Sequence, residues 1–114
     1  PRLDVLSVKP ALMRVVREDG MALGDAPAEL RNDRDVVWLA VCQDPQALQF
    51  ASETLRKDRE IVRRAVKQDG AALEFADEQL TLDAEIVRSA VQQNGRALEY
   101  AGEELRSDES IVLD

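Results

Sequence analysis

Histidine is absent from the 114 residues of this chain, and cysteine occurs only once, as Cys42. The lack of histidine removes the commonest general base and the commonest zinc ligand together. A single cysteine cannot form an internal disulfide, so a reducing compartment is the default expectation. We therefore predict a cytoplasmic protein and leave delivery into a host cell open as an alternative.

Long apolar runs and aromatic residues are also scarce. No stretch reaches the roughly 18 apolar residues of a membrane helix, and the first residues lack the apolar run and cleavage site of a signal peptide. Aromatic residues make up 4% of the chain and hydrophobic residues 45%, so the core should consist of Val, Leu, Ile and Ala. A net charge of −8 disfavours broad binding to nucleic acid or to anionic membranes.

A repeat of 25 residues organises what the sequence does contain. The segment QDPQAL at 43–48 returns as QDGAAL at 68–73 and as QNGRAL at 93–98. We interpret residues 1–114 as one repeat domain. Its copies are predicted at 5–29 (degenerate), 30–54, 55–79, 80–104 and 105–114 (partial).

Each copy contains two apolar patterns with helical spacing. For the copy 55–79 these patterns are Ile61, Val62, Ala65 and Val66, followed by Ala72, Leu73, Ala76 and the first residue of the next copy, Leu80. The alternation with period two that marks strands is missing. The unit is therefore predicted as a pair of helices of about ten residues each. The predicted fold class is all-α, a short α-solenoid of tandem 25-residue helix-hairpin repeats.

The two helices of each copy begin after a residue that can cap them. Asp58 precedes the first helix of its copy, and Asp69 precedes the second. If Asp44 likewise caps a helix, Pro45 is its first residue, a position that proline favours. Gly70 and Gly95 would then have negative φ and be merely tolerated. The rival interpretation makes these glycines left-handed residues that end the first helix, which Pro45 contradicts. We favour the capping interpretation.

The units LRKDREIVRRAVKQDGAALEFADEQ and LTLDAEIVRSAVQQNGRALEYAGEE identify a resemblance. The chain resembles the family named domain of unknown function 4116, whose members look like tandem DREIV…AV.Q.G.AL.YA…L units. The likeness covers residues 30–112 closely and 5–29 weakly, with Pro45 and Asp25 departing from the pattern. It implies arrays of repeats without an assigned activity. The family motif carries no known catalytic residue, so none is transferred.

No constellation of residues in the sequence predicts catalysis. Cys42 has no activating group near it in sequence, and no histidine is present to serve a serine or cysteine nucleophile. Asp33 and Asp35 are explained by a helix cap and a favourable dipole position rather than by a cation site. We therefore predict a protein that is not an enzyme, with no catalytic residues, no cofactor and no metal site.

The positions that vary between copies are the candidates for recognition. Trp38, Leu39 and Met13 are predicted to form an apolar anchor, because tryptophan is a frequent hot-spot residue. Alternatively, the degenerate first copy folds over Trp38. The predicted partner-binding residues are Met13, Trp38, Leu39, Arg63, Arg64 and Arg88.

A basic stripe accompanies the apolar anchor. It comprises Arg14, Arg17, Arg63, Arg64, Lys67 and Arg88. It could meet an acidic peptide or a phosphate backbone. Alternatively, it is a solvated face in which Glu60 pairs with Arg63 and Arg64 one turn away.

Recognition of a protein or peptide is the function that these patterns favour. We predict a non-enzymatic interaction or scaffold module. Self-association through Trp38 would mimic recognition of a different partner. Two alternatives remain: a structural spacer between domains of a longer protein, and phosphate or nucleic-acid binding along the arginine stripe. Nucleic acid is disfavoured by the acidic charge and by the scarcity of aromatic residues for stacking.

Overall fold

The computed structural model describes residues 5–102 and Arg106, with side chains from residue 8 onward. Six α-helices lie in this range: α1 Val5–Glu18, α2 Ala28–Arg31, α3 Arg34–Gln43, α4 Glu53–Arg56, α5 Arg59–Gln68 and α6 Ala84–Gln93. The 3₁₀ helices are Gly20–Asp25, Pro45–Phe50, Gly70–Phe75, Leu80–Leu82 and Gly95–Tyr100. No strand occurs in this part of the chain, so the all-α prediction is confirmed for it. Apart from Arg106, the predicted copy 105–114 lies outside the described residues.

The repeating unit contains three elements rather than the predicted two. A ten-residue α-helix is followed by a six-residue 3₁₀ helix and then by a single helical turn. Counted from its long helix, one structural unit therefore runs from α3 to the end of α4, and the next runs from α5 to the 3₁₀ helix Leu80–Leu82. The prediction of a second ten-residue helix was wrong, because Ala51 and Ala76 adopt extended backbone conformations that end the 3₁₀ helix. The next N–H then leaves the helical pattern: Asp77 N donates to the Arg56 carbonyl of the preceding unit at 3.0 Å. A bond between units replaces a bond within a helix.

Aspartates start both main elements of the unit, as predicted. The Asp58 carboxylate accepts from the backbone N–H groups of Glu60 and Ile61 at the start of α5. Asp44 caps the 3₁₀ helix Pro45–Phe50 by accepting from Gln46 N at 3.0 Å. Pro45 is therefore the first helical residue, and no glycine in the described range has positive φ. The capping interpretation is confirmed.

Buried apolar residues recur every 25 positions and form one continuous core. The fully buried columns include Val37, Val62 and Val87; Ala40, Ala65 and Ala90; Ala47, Ala72 and Ala97; and Leu23, Leu48 and Leu73. Each long helix contacts the next one, α1 with α3, α3 with α5 and α5 with α6, and the 3₁₀ helices contact one another in the same order. The protein is accordingly elongated, measuring 57 × 23 × 17 Å.

Candidate functional site

A groove between the outer surfaces of α3 and α5 is the candidate site. Its cavity of about 230 Å³ is lined by Trp38, Glu60, Arg63, Arg64 and Lys67. Trp38 belongs to α3 and the other four residues to α5. The stacking of one unit on the next thus places an aromatic ring from one helix beside three cations of its neighbour. We call this cavity the Trp38 groove.

Trp38 is held in place from two sides. Its side chain is half-buried against the hydrophobic core. The guanidinium carbon of Arg34 lies 5.8 Å from the ring centroid, within the range of a cation–π contact. Arg34 is itself fixed by Asp58 and Glu60 of the next unit, each at 2.8 Å. The Trp38 ring is therefore held in place by contacts within the protein.

The cations of the Trp38 groove differ in how far they are already neutralised. Glu60, the only acid in the lining, binds Arg34, while Arg63 Nη2 lies 3.6 Å from Glu85 Oε1. The expectation that Glu60 pairs with Arg63 and Arg64 was therefore wrong, because ion pairs form between units instead of along α5. Arg64 and Lys67 are exposed and form no ion pair with any described residue.

The predicted partner-binding residues are only partly brought together. Trp38, Arg63 and Arg64 line the groove, whereas Met13 and Leu39 lie outside its lining and pack, half-buried, against the core. Arg88 is half-buried on α6, also outside the lining. The groove instead includes Lys67 and Glu60. Lys67 had a signal in the sequence, since it lies one turn after Arg63 and Arg64 on the same helix.

A ladder of ion pairs along the stack was missed by the sequence analysis. Its cations are Lys9, Arg34 and Arg59, which are spaced by 25 residues. Arg59 contacts the capping Asp83 and the following Glu85, each at 2.8 Å. Arg34 repeats this pattern, and Lys9 makes the same pairs to Asp33 and Asp35 at 2.9 and 3.5 Å. For Arg34 and Arg59 the signal was the basic residue directly after a capping aspartate, as in DRD and DRE.

The ladder changes the ionisation of its members. The hydrogen bond from Arg59 lowers the pKa of the Asp83 carboxyl, although partial burial opposes that effect. The same guanidinium lowers the pKa of Glu85, and the two carboxylates raise the pKa of Arg59 in return. Elsewhere, hydrogen bonds with Glu74 and Glu99 raise the pKa of Tyr100 to about 12. Asp83 and Glu85 therefore stay charged at neutral pH.

Within residues 5–102 and Arg106, no cluster of acidic or cysteine side chains has the arrangement needed to hold a metal ion. In the same residues, every helix is too short or too polar to cross a bilayer.

The model of one protein family matches this chain three times. The matched residues are 12–55, 33–81 and 83–114, and the family is described as "Domain of unknown function (DUF4116)". The chain belongs to the DUF4116 family. No curated protein and no solved structure matches it. In this DUF4116 chain, Trp38 lies where the first two matches overlap, and the other lining residues of the groove lie in α5, which only the second match covers.

Proposed function

We propose that this DUF4116 chain is a short, non-enzymatic α-solenoid that recognises another protein through the Trp38 groove. The consecutive packing of units along a 57 Å axis supports the solenoid. In such an architecture the repeated contacts stabilise the stack, and the variable surface positions are available for binding. A scaffold or interaction module is the function that this division of labour supports.

One observation carries the proposal: Arg64 and Lys67, without ion pairs in the described structure, flank a half-buried tryptophan in a concave site. Aromatic and arginine side chains dominate the binding energy of protein interfaces, where they occupy partly desolvated pockets. The five lining residues include neither a thiol nor a hydroxyl nucleophile. Binding therefore describes this site better than covalent chemistry does.

Two other functions have weaker support. Arg64 and Lys67 also favour a phosphate ligand, but Trp38 is the one aromatic ring in the groove, which offers little to successive bases. The ladder and the continuous core favour a stiff spacer. A spacer would function equally well without the Trp38 groove, so mutation of the groove separates the two functions.

Affinity capture from a lysate of the source cells tests the proposal. The wild type is compared with Trp38→Arg and with Arg63→Glu/Arg64→Glu. Lys57→Glu/Arg96→Glu, which changes two exposed basic residues outside the groove lining, is the charge-matched control. Circular dichroism first establishes that all four proteins are folded.

Support requires a protein that the wild type and the control retain, that both groove variants lose, and that binds directly once purified. Equal capture by all four proteins, or no specific capture by the wild type, would reject the groove and favour the spacer.

A further inference from the structure

We propose that the Trp38 groove binds a short acidic peptide segment, with one apolar side chain on Trp38 and carboxylates on Arg64 and Lys67. This inference rests on the proposed function and adds the chemical class of the partner. It also fixes the stoichiometry at one segment per chain. Three observations support it: the size of the cavity, the distribution of charge around it, and the different residues at the equivalent slots of the neighbouring units.

The size of the groove favours a single side chain. Pockets for small molecules usually have volumes of about 300–1,000 Å³, and this cavity has about 230 Å³. One apolar side chain fits against the half-buried ring of Trp38, while the rest of the ligand has to lie across the rim. An extended peptide has this form, because alternate residues point to opposite sides of its backbone.

The charges around the groove favour carboxylates over a long polyanion. Arg64 and Lys67 lie three residues apart on α5, so their side chains project from the same face of the helix. The start of α5, near Arg64 and Lys67, carries the acidic residues Asp58 and Glu60. Both belong to the ladder and bind Arg34. A nucleic acid that continued along the stack would meet this whole acidic row, whereas a short peptide in the groove meets only Glu60 of the row, and Glu60 already binds Arg34.

The neighbouring units do not repeat the side chains of the groove. The slots of Trp38, Arg64 and Lys67 contain Met13, Leu39 and Cys42 between α1 and α3, and Arg63, Ser89 and Gln92 between α5 and α6. The first set has no cation, and the second has neither an aromatic ring nor a pair of cations one turn apart. The recognition chemistry is therefore confined to the interface of α3 with α5, and one peptide per chain should bind.

Trp38 provides its own reporter, because it is the only tryptophan in the chain. We suggest titrating the intact protein with the blocked pentapeptide Glu-Glu-Phe-Glu-Glu and following both tryptophan emission and calorimetric heat. The comparison ligands are Glu-Glu-Ser-Glu-Glu, Lys-Lys-Phe-Lys-Lys and a short thymidine oligonucleotide. The protein variants are Arg64→Glu/Lys67→Glu and the control Lys57→Glu/Arg96→Glu.

The inference predicts saturable binding of the acidic Phe peptide with one site per chain. Arg64→Glu/Lys67→Glu should weaken binding by about tenfold or more, because two attractive charge pairs become repulsive. The control should stay within about twofold of the wild type, and added salt should weaken binding. The Ser peptide should bind more weakly than the Phe peptide, and the Lys peptide should not bind.

Either of two results would overturn the inference. One is an acidic Phe peptide that does not bind or that binds the groove variant equally well. The other is a thymidine oligonucleotide that binds more tightly than the peptide and with the same dependence on Arg64 and Lys67, which would establish a nucleic-acid ligand. If either result accompanied groove-dependent capture of a protein from the lysate, the proposed function would stand and only the acidic peptide class would fall.

Discussion

Gly70 and Pro45 occupy equivalent positions at two successive junctions of the stack, yet they join their units differently. The Gly70 N–H donates to the side-chain oxygen of Gln93 in the next unit. Gly20 does the same with Gln43, at 2.6 Å. Proline has no N–H, and at the Pro45 junction the equivalent Gln68 turns its amide to donate to the Cys42 carbonyl at 3.1 Å.

The two junctions also differ in how closely the next helix approaches. A Cβ on Gly70 would overlap the carbonyl oxygen of Ala90 in α6, so glycine is required there and not merely tolerated. Pro45 carries a Cβ, and α5 contacts the helix Pro45–Phe50 less extensively than α6 contacts Gly70–Phe75. The Trp38 groove lies between α3 and α5, at the proline junction. Glycine at this position of the repeat lets the next helix pack directly against the backbone, and the candidate site lies at the junction where proline stands instead.

Substitution of Gly70 should change the free energy of unfolding more than any other substitution at these two junctions. Gly70→Ala places a methyl group against the backbone of α6, which cannot move aside as a flexible side chain would. We expect a loss of about 1–3 kcal/mol in the free energy of unfolding, measured by chemical denaturation.

Gly95→Ala is the matched control, because a Cβ at that position meets none of the described residues within 4 Å. It should be neutral or stabilising by about 0.4–1 kcal/mol, since alanine restricts the unfolded chain. Equal destabilisation by the two substitutions would contradict close approach at Gly70.

Substitution of the two glutamines should also distinguish the junctions, with a smaller effect on the free energy of unfolding. Gln93→Ala leaves the buried Gly70 N–H without its acceptor, so we expect a cost of about 1–2 kcal/mol in unfolding free energy. Gln68→Ala removes only an exposed hydrogen bond to the Cys42 carbonyl and should cost roughly 0.5 kcal/mol at most. The same denaturation measurement compares them. A larger loss for Gln68→Ala would show that the proline junction depends on its glutamine more than the glycine junction does.

Acid should weaken the ion-pair ladder, and this should change the stability of the protein least of all. The change should be the same at both junctions. The pKa of Asp83 is lowered in the folded state, so its contribution to stability is complete above its unfolded pKa of about 4. That contribution is lost as the pH falls through the lower, folded pKa. Partial burial raises the pKa of Asp58, but the hydrogen bond from Arg34 helps to bring it below the ordinary value.

The measurement is the thermal midpoint between pH 7 and about pH 2 for the wild type, Arg34→Ala and Arg59→Ala. The thermal midpoint of the wild type should fall below about pH 4. In each variant this fall should be smaller, and the two variants should reduce it by similar amounts. Unchanged acid sensitivity in both variants would argue that the ladder does not contribute to stability.

Local chemistry explains which features of the fold were predictable. The Asp caps were predictable because a cap depends on a few neighbouring residues, and Pro45 identified the start of its helix because proline fits the first position. The second helix was mispredicted because its residues keep helical spacing while Ala51 and Ala76 adopt extended conformations. Those conformations accompany hydrogen bonds to the preceding unit, such as the bond from Asp77 N to the Arg56 carbonyl, which no local pattern reveals.

The sequence predicted some residues of the candidate site, but not which of them lie together. Trp38, Arg63 and Arg64 were chosen as variable positions outside the apolar pattern, and they do line one groove. Met13 and Leu39 were chosen by the same rule, yet they pack against the core. Position within a repeat identifies the residues that can vary, but the orientation of neighbouring helices determines which of them meet.

By itself the sequence determined the 25-residue period, the helical class, the caps and the family, because each depends on residue type and spacing along the chain. Tertiary structure alone decided the 3₁₀ helices, the ladder from Lys9 to Glu85, the requirement for Gly70 and the choice of Glu60 and Lys67 as neighbours of Trp38. The 3₁₀ helices end where the chain bonds to the preceding unit, and the other features are contacts between one unit and the next. Their geometry depends on how closely two units approach each other, and that distance is not encoded in either unit alone.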